Sequence, residues 1–159
     1  KLMEDETIEV IVNELFPKVM LVTPNIDEAA FLSGMPIRNE EEMEKAAQEL
    51  LARGCRSVLM KGGHLEGSER ADILYMKDSA PLRLVVPAVQ TQNTHGTGCT
   101  LSSAIAAYMA LGKGLPDAVS LAKEYVTAAL EAGADVQTGH GHGPMNHLFA
   151  PVPLIKIKA

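Results

Sequence analysis

The sequence predicts an α/β fold, a sheet with helices on both faces, and three observations predict it. Segments with apolar residues at helical spacing alternate with short, wholly apolar runs of strand length. Proline, glycine or asparagine marks most of the boundaries between them. Three polar motifs, Asn25–Glu28, Lys61–His64 and Asn93–Cys99, each lie just past a predicted strand. In α/β sheets ligands bind beyond the carboxyl ends of strands, so the motifs are expected to converge on one edge.

The elements follow in order. From Glu4 to Phe16 the apolar residues Ile8, Ile11, Val12, Leu15 and Phe16 keep a helical period, and Pro17 ends the helix. Val19 to Val22 reads as a buried strand, broken by Thr23-Pro24-Asn25. A short helix runs to Leu32, ahead of Gly34. Asn39, with Glu42 three residues on, predicts a capped helix reaching Arg53 and stopping at Gly54. Ser57–Met60 is the next buried strand. Asp72–Met76 and Leu82–Val86 follow, joined by a polar turn at Asp78-Ser79. After the glycine loop come a helix to Leu111 and another from about Pro116 to Ala132. From Gly139 the tail is irregular.

Bulk properties exclude several classes of function. At 159 residues, 47% hydrophobic and 21% charged, the chain suits one globular domain. A net charge of −6 without a basic stripe argues against nucleic acid as a partner. No apolar run reaches the ~18–20 residues that span a bilayer, so no membrane role is expected. Two cysteines, Cys55 and Cys99, make no disulfide framework and suit a reducing cytoplasm. A chain that opens on Lys1 rather than Met suggests a processed or truncated protein.

Asn93-Thr94-His95-Gly96-Thr97-Gly98-Cys99-Thr100 carries the most chemistry. Its glycines let the backbone approach an anion, and an Ala-rich helix opening there presents N–H groups and the positive end of its dipole. A helix start also favours the thiolate form of a cysteine. The plain alternative is a glycine turn before a buried helix, with Cys99 a small core residue. The loop lacks the ending of a P-loop and is not a dinucleotide fingerprint. Asn25 and Glu28 read either as a capping box or as oxygen ligands for hydrated Mg²⁺, and the two readings are compatible. Lys61-Gly62-Gly63-His64 reads as a strand end and turn, or as a lysine set to meet phosphate. His140, His142 and His147 lack the partners of a metal site, and tail packing is the preferred reading. His95 reads as a loop-shaping residue.

The run Asn93–Ala107 resembles the active-site loop of the hydroxymethylpyrimidine/phosphomethylpyrimidine kinases of thiamine biosynthesis, in the ribokinase-like superfamily. Val22–Ala29, Met60–His64, Ala122–Tyr125 and Gly139–Pro144 resemble the same family, in the same order. The resemblance implies a ribokinase-like three-layer αβα (Rossmann-like) sheet, with residues 1–159 forming one domain that is incomplete at its N-terminus. It implies ATP-dependent phosphorylation of 4-amino-5-hydroxymethyl-2-methylpyrimidine and its monophosphate, with Mg²⁺. Gly96, Thr97 and Gly98 would form an anion hole with Cys99, and Cys99 would be the base. Lys61, Gly63, Thr94 and Lys123 would contact the nucleotide, while Asn25 and Glu28 would organise Mg²⁺. Lys123, placed mid-helix, reads as an ordinary surface lysine without the resemblance.

Family members are longer, so the chain looks like a C-terminal portion lacking much of the substrate pocket. A sheet short of its early strands has an unpaired edge, which leaves a homodimer open. Three alternatives stand beside the pyrimidine kinase: a pyridoxal/pyridoxine kinase, a nucleotide-binding fragment without turnover, and a cysteine hydrolase pairing Cys99 with His95.

Overall fold

Pro17 decides how the chain begins. It has no N–H for the Asn13 carbonyl and its ring crowds that carbonyl, so regular helix cannot continue through it. Helix α1 (Asp5–Val10) therefore widens into a π-turn over Ile11–Leu15, where the Phe16 N–H donates to Ile11 O, and then tightens to a 3₁₀ turn over Phe16–Lys18. The expected uniform helix is thus three short helical forms in series. The computed structural model describes residues 5–62, 69–153 and 155, in two compact units, Lys1–Ala88 and Val89–Ala159.

In the first unit, Asn25 and Asn39 start α2 (Ile26–Ser33) and α3 (Glu40–Ala52) as expected. Asn25 Oδ1 accepts from the Glu28 N–H at 2.8 Å, and Glu28 Oε2 accepts from the Asn25 N–H at 2.8 Å. At α3 the box is stretched. Asn39 Oδ1 accepts from the Glu42 N–H at 2.9 Å, whereas the Glu42 carboxylate reaches back to the Arg38 N–H.

The sheet is an antiparallel meander of β1 (Ser57–Lys61), β2 (Glu69–Met76) and β3 (Leu82–Pro87). Val58 faces Tyr75 across β1–β2, and Ile73 faces Arg83 across β2–β3. The expected turn is present, with Asp78 at φ 58, a conformation that aspartate tolerates better than most residues. Val19–Val22 differs from expectation: it pairs parallel to β1 only through the bridges Val22–Val58 and Asn25–Lys61. Val22 N–H donates to Ser57 O, Leu59 N–H to Val22 O, and Lys61 N–H to Pro24 O. The next donor in such a ladder would be residue 24, and proline has none, so a continuous strand cannot form.

The core of this unit gathers Phe16, Met43, Leu50, Val58, Met60, Ile73 and Tyr75 with alanines of α2 and α3. Ser57 to Met60 are all buried, as a strand apolar on both faces requires. In the second unit α4 (Thr97–Ala110) packs against α5 (Leu115–Ala132). Leu101 and Ile105 of α4 are buried, as are Ala118, Val119, Ala122, Val126 and Ala129 of α5. The α5 set repeats every three or four residues, which makes one helical face. Among the described residues no helix is long and apolar enough to cross a membrane.

Leu50 is fully buried, so Leu50→Ala should lower the unfolding free energy by about 2–5 kcal/mol, and Asn39→Ala by about 1 kcal/mol, in urea titrations. Burial pushes the Cys55 thiol up from 9.0 to about 12. Tyr75 is pushed up from 10.0 to about 12, chiefly by burial and then by Glu44 and Glu40. Both groups are held neutral in the folded protein, so above about pH 9 only the unfolded chain ionises Cys55. Stability should therefore decline steadily from pH 9 towards pH 12, and Cys55→Ala should remove the earliest part of that decline in denaturation curves measured against pH.

Candidate active-site residues

Two groups of the expected residues are seen, one in each unit. In the first, β1 ends at Lys61 where the Pro24 carbonyl takes its N–H at 3.0 Å, which sets the lysine beside the start of α2. Lys61 Nζ lies 4.0 Å from Glu28 Oε2, with side chains 23% and 39% exposed. An ion pair that long and that wet contributes under about 1 kcal/mol, so it orients the two groups more than it stabilises them. Gly62 is required here: a Cβ would run into the Ala71 carbonyl of β2. Its N–H donates to the buried Asp72 carboxylate at 3.1 Å. Gly63 and His64 lie outside the described residues.

The capping box turns Asn25 Oδ1 and Glu28 Oε2 towards backbone N–H groups. Glu28 Oε1 has no hydrogen bond among the described residues. Mg²⁺ is satisfied by one carboxylate together with water and phosphate oxygens, so this donor set fits it; Glu28 would be the ligand and Asn25 would hold Glu28 in place. Among the described residues no three His, Cys, Asp or Glu side chains gather as a metal site.

In the second unit the glycine loop ends at Gly96, the N-cap of α4, in a left-handed conformation at φ 83 that few other residues accept. With no side chain, Gly96 makes no capping hydrogen bond. Thr97 N–H donates to Thr94 O at 3.3 Å and Thr100 N–H to Gly96 O at 2.8 Å. Between them, the N–H groups of Gly98 and Cys99 have no partner among the described residues. They are open donors at the positive end of a 14-residue helix, an arrangement that binds anions.

Cys99 is exposed, unlike Cys55. It borders a cavity of about 530 Å³ with Thr100, Ser103, Ala104, Ala107, Tyr108, Tyr125 and His147. Thr100 Oγ1 and His147 Nε2 are 3.0 Å apart, Tyr125 OH donates to His147 O at 3.2 Å, and the Tyr125 ring centroid stands 5.3 Å from that of Phe149. His147 is therefore a fixed neighbour of the α4 start, which no sequence pattern announced. Thr94 and His95 are exposed, and the His95 N–H donates to Gly143 O at 3.1 Å, consistent with shaping the loop. Lys123 is half-buried on α5. His142 Nδ1 lies 3.3 Å from Gln92 O, so the tail packs on the loop, while His140 is exposed.

Comparison with known proteins places the fold and the family. The chain is 33% identical to the pyridoxal kinase of Staphylococcus aureus, seen in complex with AMP-PCP, at a TM-score of 0.86 over 92% of this chain and 54% of that one. A phosphomethylpyrimidine kinase structure from Clostridium difficile is 40% identical, with a TM-score of 0.65 over 81% of this chain and 51% of that one. The fold is ribokinase-like. Phosphomethylpyrimidine kinase is the family whose sequence pattern matches residues 1–146, and the chain belongs to it. It is 47% identical to the thiamine biosynthesis bifunctional protein ThiED of Geobacter sulfurreducens, covering 94% of this chain and 30% of that protein. It is 43% identical to the hydroxymethylpyrimidine/phosphomethylpyrimidine kinase of Escherichia coli, covering 87% of this chain and 52% of that enzyme. The chain thus spans about half the length of the single-function curated relatives it matches.

The two thiols should separate chemically. Iodoacetamide at pH 8 should add one label to the native protein, at Cys99, and a second only after unfolding, as read by intact mass and peptide mapping.

Proposed function

We propose that this chain carries the phosphoryl-transfer machinery of a hydroxymethylpyrimidine/phosphomethylpyrimidine kinase. It would pass the γ-phosphoryl group of ATP to 4-amino-5-hydroxymethyl-2-methylpyrimidine and then to its monophosphate, in thiamine biosynthesis. One observation carries the reading: two amides with no partner among the described residues, of Gly98 and Cys99, lie at a helix start with a glycine N-cap that also bears an exposed thiol. Family membership supports the choice of substrate. The higher structural similarity to a pyridoxal kinase keeps pyridoxal as the second substrate to test.

In this reading Gly98 and Cys99 donate their N–H groups to the oxygens of the transferring phosphoryl group, whose charge they spread without having to reorganise. Cys99 Sγ accepts the proton of the substrate hydroxymethyl group as its oxygen attacks. Thr97 and Thr94 hold the loop's shape. Lys61 and Lys123 offset the charge of the nucleotide phosphates, with Gly63 a further proposed nucleotide contact. Glu28 holds the divalent ion and Asn25 keeps Glu28 oriented; Mg²⁺, when bound, neutralises phosphate charge. The enzyme belongs in the cytoplasm, where a reduced Cys99 persists. A homodimer is its proposed assembly, and sedimentation would test it.

The two acceptors differ in what they ask of Cys99. A hydroxymethyl group must lose a proton to attack, whereas a phosphate monoester is largely ionised near neutrality. Cys99→Ala in the intact enzyme should therefore lower kcat on the hydroxymethyl substrate by roughly 10²–10⁴-fold and on the monophosphate far less, with ATP binding retained. Cys99→Asp should restore part of the first loss. Wild-type rates in Cys99→Ala would rule out the base. A kcat/KM favouring pyridoxal would replace the substrate assignment. Nucleotide binding without turnover by residues 1–159 alone would make this chain a binding fragment.

A further inference from the structure

We propose that Asn93 is the positioning residue of the anion loop, holding the Gly98 and Cys99 amides in place through the end of α5 and the glycine-rich tail. The proposal rests on reading that loop as the phosphate cradle. Asn93 is 7% exposed, and its amide Nδ2 donates twice, to Gly133 O and to Val136 O, both at 2.6 Å. Two carbonyls on one side of the group fix which end is the nitrogen. The backbone joins in: the Asn93 N–H donates to Thr91 Oγ1 at 3.0 Å, and that hydroxyl donates to Ala134 O at 3.2 Å.

The far side of the amide is equally constrained. A Cβ on Gly143 would overlap Asn93 Oδ1 and Cγ, so residue 143 must be glycine for the tail to close over Asn93. Gly143 O in turn accepts the His95 N–H, and Asn146 N–H donates to Ala129 O. One buried amide therefore ties together the residue three places before Gly96, the C-terminal end of α5, and the tail. Loss of the donor is costly chiefly at Gly133, whose carbonyl is buried, while Val136 is exposed. A loop whose job is to aim two N–H groups needs such an anchor, since a short misplacement weakens every bond to the anion.

The test titrates inorganic pyrophosphate into ¹⁵N-labelled protein and follows the Gly98 and Cys99 amides. Wild type should show saturable shifts at both. Asn93→Ala should bind at least tenfold more weakly, and Thr91→Ala, which spares the buried amide and so guards against a misfolded variant, should lose affinity by a smaller factor. Asn93→Asp adds a readout that general loosening would not produce. Its carboxylate faces two carbonyls and repels them, but protonation restores one donor. Its affinity relative to wild type should therefore rise as pH falls. Wild-type affinity in folded Asn93→Ala or Thr91→Ala, or an Asn93→Asp ratio flat with pH, overturns the positioning role and leaves the cradle standing. No shift at Gly98 and Cys99 in the wild type overturns the cradle itself.

Discussion

An anion can use only those N–H groups that no other group has taken, and Gly96 is what leaves two of them open. The choice of a residue without a side chain at the start of α4 has a cost in local stability, because a serine or aspartate there would satisfy an orphan donor. The left-handed turn at Gly96 adds a second requirement, since it lets the chain enter the helix from an angle that most residues cannot take. Much else in the second unit is arranged around this opening. The loop before it is pinned by Asn93, the tail is laid beside it by the His95–Gly143 bond, and Thr100 holds His147 one residue beyond Cys99.

Two other helix starts show the opposite solution. Asn25 and Asn39 close the first turns of α2 and α3 with their own side chains. At α5 the chain enters with Gly114 in an extended conformation, Pro116 removes a donor, and Asp117 faces the dipole. Side chains close α2 and α3, whereas α4 and α5 both start at a glycine with no side-chain cap, and of these two only α5 has a proline and an aspartate in its first turn. Asn25 and Glu28 sit between these cases. Their reciprocal bonds cap α2, and the capping oxygen itself, Glu28 Oε2, lies 4.0 Å from Lys61 Nζ, so one carboxylate serves both the helix start and the lysine.

Much of this was legible in the sequence because it depends on neighbours along the chain. Caps at residues 25 and 39, the turn at Asp78, the strand starts at Ser57 and Leu82, and the glycine-led start of α4 are all short-range chemistry. What periodicity missed depends on hydrogen bonds between distant segments. Val19–Val22 has a strand's composition, yet Pro24 interrupts its ladder. The strand–helix–strand crossover from Val22 to Val58 does pair parallel, and the strands on either side of the Asp78 turn pair antiparallel. Asn93, too, opens the glycine motif but gives no hint of burial, because its partners stand forty or more residues away. His147 is similar: Thr100, its partner, is set by the fold of the tail.

The broken ladder at Pro24 bears on the order in which the first unit assembles. The meander can zip from its turns, each strand meeting a neighbour already close in sequence, and such local pairing is kinetically cheap. Joining Val22 to Val58 instead closes a loop containing all of α2 and α3, which carries a larger entropic cost and returns only a few backbone bonds. That contact is therefore worth making only after β1 has been braced by β2 and by the helices. The Asn25–Glu28–Lys61 grouping, which depends on it, is therefore expected to form late in folding. It would also be the first part of the unit to open when the protein breathes, well before the hairpins that hold the sheet.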